Sequence, residues 1–156
     1  MPPWLRQTAR ILPVDPEGRV LLLHGWDPNH PEAPFWFTIG GGAEGSESLA
    51  EAGVRELREE TGIVIGVAEL GEPIGHNTVE FHFAHYHIIQ SQAFYAVLVE
   101  TADVTLDGLD PLERASTDKA AWLSAEDFGP DERPADPDLA DLMRAAAAAV
   151  RARTVE

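Results

Sequence analysis

The sequence predicts an α+β fold in which a mixed β-sheet is flanked by helices. Short apolar segments separated by Pro, Gly and Asp predict the strands, a capped polar segment predicts one helix, and an alanine-rich segment predicts a second. The chain has 156 residues, of which 44% are hydrophobic, and can therefore bury a sizeable core. A single domain over residues 1–156 is expected.

The first strands are predicted from residues 8–14 and 19–24, which are apolar and joined by a Pro- and Gly-containing turn at residues 15–18. They predict a hairpin. Residues 27–34 hold three prolines and are expected to form a loop, whereas residues 35–39 predict a short aromatic strand.

Later strands are predicted at residues 63–70, 78–83, 93–100 and 120–123, and residues 84–92 fit either strand or loop. Between the early and late strands, Ser48 and Glu51 form a capping-box pattern that starts a helix ending near Thr61, before Gly62. A terminal helix is expected over residues 136–153, packed on the sheet or at a subunit interface.

The charge balance limits the partners of the chain. With 27 acidic and 11 basic residues its net charge is −16, so it repels nucleic-acid polymers and anionic membranes. A small phosphorylated substrate would be repelled as well unless cations intervene. The sequence has no cysteine, no apolar run near the ~20 residues of a membrane span and no secretory signal pattern, which predicts a cytoplasmic protein.

Acidic residues cluster on the first predicted helix. At 100° per residue, Glu56, Glu59 and Glu60 share an arc of about 100° beside the apolar stripe. Such neighbours repel one another by roughly 0.2–0.5 kcal/mol per pair, which a bound hard cation such as Mg²⁺ would relieve. A solvated acidic face closed by Arg–Glu pairs is the alternative, and Arg55 is placed to orient the carboxylates in either case.

A glycine-rich segment, residues 40–47, precedes this helix and is expected to be irregular, with backbone groups that approach a ligand or metal closely. Gly41, Glu47 and residues 55–63 together match every defined position of the Nudix box, Gly-x5-Glu-x7-Arg-Glu-aliphatic-x-Glu-Glu-x-Gly-aliphatic. The chain therefore resembles the MutT-like Nudix hydrolases. Ile39 and the pair at residues 45–46 depart from common usage, but lie outside the defined positions.

This resemblance implies an α/β/α sandwich and a Mg²⁺ site, with Mn²⁺ as a possible substitute. The implied metal ligands are Glu56, Glu59, Glu60 and the Gly40 carbonyl, and the implied catalytic set is Glu47, Arg55, Glu56, Glu59 and Glu60. The implied reaction is attack of water on a phosphorus of a nucleoside diphosphate linked to another group, with the metal activating water and stabilising charge.

Three residues outside the box are candidates for contact with the substrate. Arg6 and Arg10 are candidates for binding substrate phosphates, although surface charge is the alternative. Glu113 is a candidate from a late loop and an alternative general base to Glu56, or else a surface acid.

Two other groups of side chains leave their roles open. His82, His85 and His87 suggest either a zinc site or a half-buried strand, with His85 and His87 on one strand face. Four aromatic residues are candidates for stacking on a planar group or for the core: Trp36, Phe37, Tyr86 and Phe94.

The substrate is left open by the sequence. Nucleoside triphosphates are favoured, because the chain is short and lacks an added module, with ADP-ribose, nucleotide sugars and dinucleoside polyphosphates as alternatives. A nucleotide-binding sensor without turnover, or an isomerase on the same fold, are further alternatives. A homodimer is possible by analogy with the family.

Overall fold

The computed structural model of the chain describes residues 2–128 and 132–154. Its strands are β1 (Trp4–Val14), β2 (Val20–Asp27), β3 (His30–Phe37), β4 (Ile39–Gly42), β5 (Gly75–Phe83), β6 (Tyr86–Leu98) and β7 (Thr117–Leu123). Its helices are α1 (Leu49–Thr61), α2 (Pro111–Ala115) and α3 (Leu139–Thr154), with 3-10 turns at Val67–Glu69 and Ala125–Asp127.

The strands form one mixed sheet in the order β3-β2-β1-β6-β5, with β4 paired to β1 and β7 paired to β2. Strands β1 and β6 are parallel, and the other pairs are antiparallel. The predicted α+β class is therefore confirmed. Within the described residues, no helix is both long and apolar enough to cross a membrane.

Alternation along β1 divides the core into two layers. Ala9 and Ile11 pack with Leu57 of α1 on one face, whereas Leu12 packs with Met143 of α3 on the other. Successive side chains of a strand point to opposite faces, so a strand buried on both sides must be apolar at consecutive positions, as β1 is from Ile11 onwards. The sheet is thus covered by α1 on one face and α3 on the other.

The predicted hairpin is correct only at its turn. Gly18 has φ +83°, and the Asp15 carboxylate accepts the N–H of Arg19 at 2.8 Å. Beyond the pair Val14–Val20 the two strands separate, and β1 pairs along its whole length with β6 in parallel. The pairing of β1 with a strand some 80 residues away, which local sequence does not encode, replaces the expected hairpin ladder.

Two predictions of secondary structure are wrong, the loop at residues 27–34 and the strand at residues 63–70. Residues 27–34 are mostly strand, since β3 begins at His30 and only residues 28 and 29 form the turn. The prolines are tolerated because β3 lies at the end of the strand order. Residues 63–70 were expected to be a strand, but they form an extended segment with exposed Val64 followed by a 3-10 turn.

The glycine-rich segment is also more regular than expected, because residues 39–42 form β4 against β1. Gly40 has φ +150°, and a Cβ on it would lie 2.0 Å from the Ala9 carbonyl oxygen. Glycine is therefore required for β4 to approach β1 this closely.

The remaining elements follow the predictions with shifted ends. Residues 84–92, left open above, contain the turn at residues 84–85 and the first half of β6. The terminal helix starts at Leu139 rather than at residue 136, because the Asp136 carboxylate accepts the Asp138 N–H at 2.8 Å and so holds a turn before the helix.

Candidate active site

Helix α1 carries the acidic residues and is fixed at both ends. The Ser48 hydroxyl accepts the Glu51 N–H while the Glu51 carboxylate accepts the Ser48 N–H, which completes the predicted capping box. Gly62 ends the helix with φ +81°. Gly53 faces the sheet, where a Cβ would lie 2.6 Å from Ile11 Cδ1, so its lack of a side chain brings α1 close to β1.

Glu60 lies inside the buried face of α1 rather than beside it. Its side chain is directed at β4, is 3% exposed and accepts the Gly40 N–H at 2.9 Å. Burial raises the pKa of Glu60 well above its ordinary value, and the nearby Arg10 guanidinium opposes that rise. A buried carboxylate of this kind requires a positive partner to remain charged.

Glu56 packs against the backbone of the next glycine. A Cβ on Gly41 would lie 2.5 Å from Glu56 Oε1, so the glycine makes room for this carboxylate. Burial also raises the pKa of Glu56, which the Arg55 guanidinium opposes. Glu59 is more exposed and lies one turn from Arg55. Two of the three carboxylates therefore converge on the backbone of β4.

Arg55 connects the glycine-rich segment to the acidic residues. Its guanidinium holds both oxygens of Glu47, at 2.7 and 3.0 Å, and donates to the Gly42 carbonyl at 3.1 Å. Nη1 donates to Glu56 at 3.0 Å and to Glu59 at 3.2 Å. These hydrogen bonds lower the pKa of Glu47 to about 2 and raise the pKa of Arg55. The guanidinium thus sets the orientation of three carboxylates.

The donor set fits a hard divalent cation in its chemistry. Glu56, Glu59 and Glu60 with the Gly40 carbonyl offer oxygen alone, which suits Mg²⁺ and Mn²⁺. In the part of the chain that the structure describes, no group of three or more acidic or histidine side chains is already arranged around one point. The carboxylates instead face Arg55 and the Gly40 N–H, so holding one ion among all three requires side-chain rotation.

Arg6 and Arg10 lie near this site, on the opposite face of β1 from α1. Arg10 donates to Thr38 through its Nε and Nη2, and Arg6 lies over the Trp4 ring at 5.2 Å. Neither arginine is within salt-bridge distance of a carboxylate among the described residues. Burial lowers the pKa of Arg10, and the Glu60 carboxylate opposes that change. In a chain with so many acidic residues, two such arginines leave positive charge free for an anion.

Glu113 is brought to the site by a late loop. Gly108 packs on the last turn of α1, where a Cβ would lie 2.3 Å from the Glu59 carbonyl oxygen. Glu113 follows in α2, and its charge acts on both Glu56 and Glu60. Burial raises the pKa of the Glu113 carboxyl. Glu113 is therefore near enough to Glu56 and Glu60 for their charges to interact.

His82, His85 and His87 do not have the arrangement predicted from the sequence. His82 and His87 stack across the β5–β6 hairpin with ring centroids 4.6 Å apart, and His87 bonds the Glu80 carboxylate. His85 lies in the turn, so the expectation that it shares a strand face with His87 is wrong.

The four aromatic candidates separate by burial. Trp36 and Phe94 are core residues, and Phe37 packs against the core around α1. Tyr86 is exposed and contacts Trp4, with ring centroids 5.7 Å apart.

Sequence reasoning missed a set of polar residues on the α3 face of the sheet. Thr8, Gln90 and Gln92 are buried, and Asn77 and Asp136 are half-buried. The local signal is the pair of glutamines at i and i+2 in β6, which places both amides on one face of the strand. Their partners lie on other elements and are not readable from β6 itself.

The sheet, the glycine-rich β4 and the acidic helix together define the class of the protein. The family model of the NUDIX domain matches residues 4–146, nearly the whole chain, so this chain belongs to the Nudix family. It is a Nudix hydrolase, an enzyme that acts on phosphorus-containing acid anhydrides. Members of the family generally use a divalent metal ion and act on small nucleotide substrates.

Solved structures agree with this assignment. The MutT protein from Methanosarcina mazei Go1 is 26% identical, with 92% of this chain and 94% of that chain covered and a TM-score of 0.64. An Ap4A hydrolase from C. elegans is 19% identical, with 92% of this chain and 96% of that chain covered and a TM-score of 0.60. The E. coli dihydroneopterin triphosphate pyrophosphohydrolase is 16% identical, with 92% of this chain and 96% of that chain covered and a TM-score of 0.64. No curated protein matches the chain.

Proposed function

We propose that this chain is a Mg²⁺-dependent pyrophosphohydrolase that cleaves a diphosphate linkage in a nucleoside diphosphate derivative. The observation that carries the proposal is the position of β4 between two groups of charge. Carboxylates of α1 contact its backbone at Gly40 and Gly41. On β1, Arg10 is the ladder partner of Gly40, and the Arg6 guanidinium lies beside Gly42. A metal-bound diphosphate needs both groups.

We assign the metal to Glu56, Glu59, Glu60 and the Gly40 carbonyl, which we name the acidic site. When bound, Mg²⁺ supplies neutralisation of phosphate charge and activation of water. Arg55, held by Glu47, keeps the carboxylates in orientation. The net charge of −16 makes such a cation necessary, because the chain otherwise repels an anionic substrate.

Arg6 and Arg10 are proposed to bind the substrate phosphates. Both are half-buried and lack a carboxylate partner within hydrogen-bond distance in the described part of the chain. Arginine forms charge-assisted hydrogen bonds to phosphate oxygens, which fixes both position and register of the substrate.

Two carboxyl groups are candidates for the general base, Glu56 and Glu113. Burial raises the pKa of each carboxyl, towards the range in which a carboxylate accepts a proton efficiently. Glu113 lies in α2, and its carboxylate accepts the Asp110 N–H at 3.3 Å rather than a hydrogen bond from Arg55, so we favour it as the residue to test first.

Nucleoside triphosphates are the substrates that we test first. The similar structures include proteins named as MutT, Ap4A hydrolase and dihydroneopterin triphosphate pyrophosphohydrolase, so the substrate must be found with a panel. The panel contains nucleoside triphosphates, ADP-ribose, a nucleotide sugar and a dinucleoside polyphosphate, each with Mg²⁺, Mn²⁺ or chelator.

The measured products are phosphate, pyrophosphate and mononucleotide. We expect metal-dependent release from at least one triphosphate, abolished by chelator. Turnover confined to another member of the panel would keep the enzyme class and change the substrate. No turnover of any diphosphate compound would instead favour a nucleotide-binding sensor.

A further inference from the structure

Thr38 is a buried polar residue that the proposed function leaves without a role. It lies between the end of β3 and the start of β4 and is 7% exposed. Its hydroxyl accepts the Arg10 Nε–H at 2.9 Å, and its carbonyl oxygen accepts an N–H of Arg10 Nη2 at 2.5 Å. One residue therefore holds the Arg10 guanidinium at two points, through a side-chain oxygen and a backbone oxygen.

The sheet places Thr38 and Arg10 on the same face. Both chain neighbours of Thr38 and both chain neighbours of Arg10 pack into the core around α1. Because successive side chains of a strand point to opposite faces, Thr38 and Arg10 both point away from α1. The ladder partner of Arg10 is Gly40, so no side chain of β4 lies opposite the arginine.

The contact fixes the guanidinium and leaves part of it unused. A guanidinium carries five N–H donors in one plane, so the hydrogen bonds from Nε and Nη2 to Thr38 set the orientation of that plane. Nη1 has no acceptor among the described residues. Arg6, by contrast, lies over the Trp4 ring and has no hydrogen bond to a side chain in the described part of the chain. Of these two arginines, Arg10 is the one whose free N–H groups have a fixed direction.

The fixed guanidinium is next to the acidic site. The Gly40 N–H donates to Glu60, and Gly40 is also the ladder partner of Arg10, so the carboxylate and the arginine flank one residue of β4. Burial lowers the pKa of Arg10, whereas the charges of Glu60 and Glu56 raise it. A phosphate group held at the acidic site would therefore meet the unused N–H groups of Arg10.

We infer that Thr38 is a positioning residue, which orients Arg10 for binding the phosphates of the substrate. This inference rests on the proposed function, because that function supplies the phosphates. Arginine has many rotamers, and a side chain that is ordered before the substrate arrives loses less conformational freedom on binding. The two oxygens of Thr38 impose this order in the free protein, so Arg10 binds an anion more tightly.

The test measures binding of inorganic pyrophosphate and does not require hydrolysis. The full chain with Mg²⁺ is titrated calorimetrically with pyrophosphate. Thr38→Val removes the hydroxyl and keeps the carbonyl, and should weaken the affinity about tenfold, as the loss of one hydrogen bond to a charged group would produce. Thr38→Ser retains the hydroxyl and should bind within about twofold of the wild type. Thr78→Val makes the same change at an exposed position of β5 and should bind as the wild type does.

The serine variant separates orientation of Arg10 from packing. Thr38→Ser loses the methyl group that Thr38→Val retains, so a role in packing alone predicts the weaker binding for serine. Weak binding in Thr38→Val, restored in Thr38→Ser, assigns the effect to the hydroxyl. Thr38→Ala provides a second variant without the hydroxyl if the valine variant does not fold. Wild-type affinity in the variants without the hydroxyl, or equal weakening in the serine variant, overturns the inference.

A double-variant cycle tests whether Thr38 acts through Arg10. Arg10→Met removes the guanidinium and should weaken pyrophosphate binding about tenfold or more. In that background Thr38→Val should change the affinity by less than about twofold, because the hydroxyl no longer has a guanidinium to orient. An equal effect of Thr38→Val in both backgrounds overturns the inference, since the threonine would then act without Arg10. The single variants of Thr38 decide alone if Arg10→Met does not fold.

Failure of the inference differs from failure of the proposed function. Turnover of nucleotides by a protein in which Thr38→Val binds pyrophosphate as the wild type does would retain the pyrophosphohydrolase and reject the positioning role. Weakened pyrophosphate binding in Thr38→Val, restored in Thr38→Ser, without turnover of any panel compound would retain the positioning role and reject hydrolysis. A wild type that does not bind pyrophosphate overturns the inference, whether or not it hydrolyses a nucleotide.

Discussion

The acidic site and the polar cluster on the α3 face of the sheet are built in opposite ways. The acidic site comes from a single continuous segment, is charged, and is organised by one guanidinium, Arg55. The polar cluster is neutral apart from one carboxylate and is assembled from two strands and the turn before α3; its members are Asn77, Gln90, Gln92 and Asp136. A group of charges can therefore be encoded by one segment, whereas a network of amides can require the pairing of distant segments.

The difference has an energetic basis. Carboxylates on neighbouring helix turns repel one another, and the nearby arginines or a metal must offset this repulsion. Amides carry no net charge, so their burial requires hydrogen-bond partners only. Variants of the acidic site should therefore change the rate for every substrate alike, whereas variants of the polar cluster should change the stability of the fold.

The largest expected effect belongs to Glu60→Gln. We expect kcat to fall by roughly 10²–10³-fold for every substrate that the wild type hydrolyses, as when one electrostatic stabiliser is removed from an active site. The fold should be retained, because a buried amide avoids the desolvation cost of a carboxylate. Steady-state rates at saturating Mg²⁺ and thermal unfolding measure both results. Wild-type turnover in this variant would reject Glu60 as a metal ligand.

Arg55→Lys should have the next largest effect. Lysine cannot hold both oxygens of Glu47 while also reaching Glu56 and the Gly42 carbonyl, so kcat/KM should fall by roughly 10–100-fold. Arg58→Lys, at an exposed position of the same helix, is the matched control and should retain wild-type kinetics. Equal activity of the two variants would remove the distinction between a positioning arginine and a surface one.

A smaller effect is expected for Arg6→Met. Loss of a charge-assisted contact to phosphate should raise KM about tenfold while kcat stays within about twofold, because the uncharged methionine side chain still packs on Trp4. Kinetics at two salt concentrations check the assignment, since the wild-type KM should rise more steeply with salt than that of the variant. An unchanged KM would make Arg6 a surface charge.

The smallest expected effect is a change with pH in the thermal stability that the Glu47–Arg55 pair contributes. Hydrogen bonds from Arg55 hold the pKa of Glu47 at about 2 in the folded chain, below the value of about 4.3 for an unfolded glutamate. A group whose pKa is lower in the folded state stabilises the folded protein, and this stabilisation is complete at a pH above the unfolded-state pKa. It is lost as the pH falls through the folded-state pKa. The Tm advantage of wild type over Glu47→Gln should therefore be constant from about pH 7 to 5.5 and shrink between about pH 4.5 and 2.

Glu100→Gln, at an exposed position, provides the reference for that experiment. Its Tm difference from wild type should stay small over the same pH range. A Glu47→Gln difference that does not narrow in acid would mean that the contact with Arg55 adds nothing to stability in solution.

Prediction from sequence succeeded where interactions are local. The capping box at Ser48 and the left-handed Gly62 depend on residues within one turn of the helix end, and both are found where expected. The β1–β2 hairpin failed because only strand pairing over long sequence separation decides that β1 lies beside β6. The strand at β4 was missed because glycine composition signals a loop, whereas here it permits close approach to β1.

The sequence by itself determined the family and the segment that carries the acidic residues, because a motif and helical spacing are local properties. Only the tertiary structure decided that Glu60 is buried on β4, that the charge of Glu113 acts on it, and that Gln92 meets Asp136. Burial and long-range contact depend on which strands pair and which helix covers them. Those choices are made by the packing of the whole chain, so no single segment reveals them.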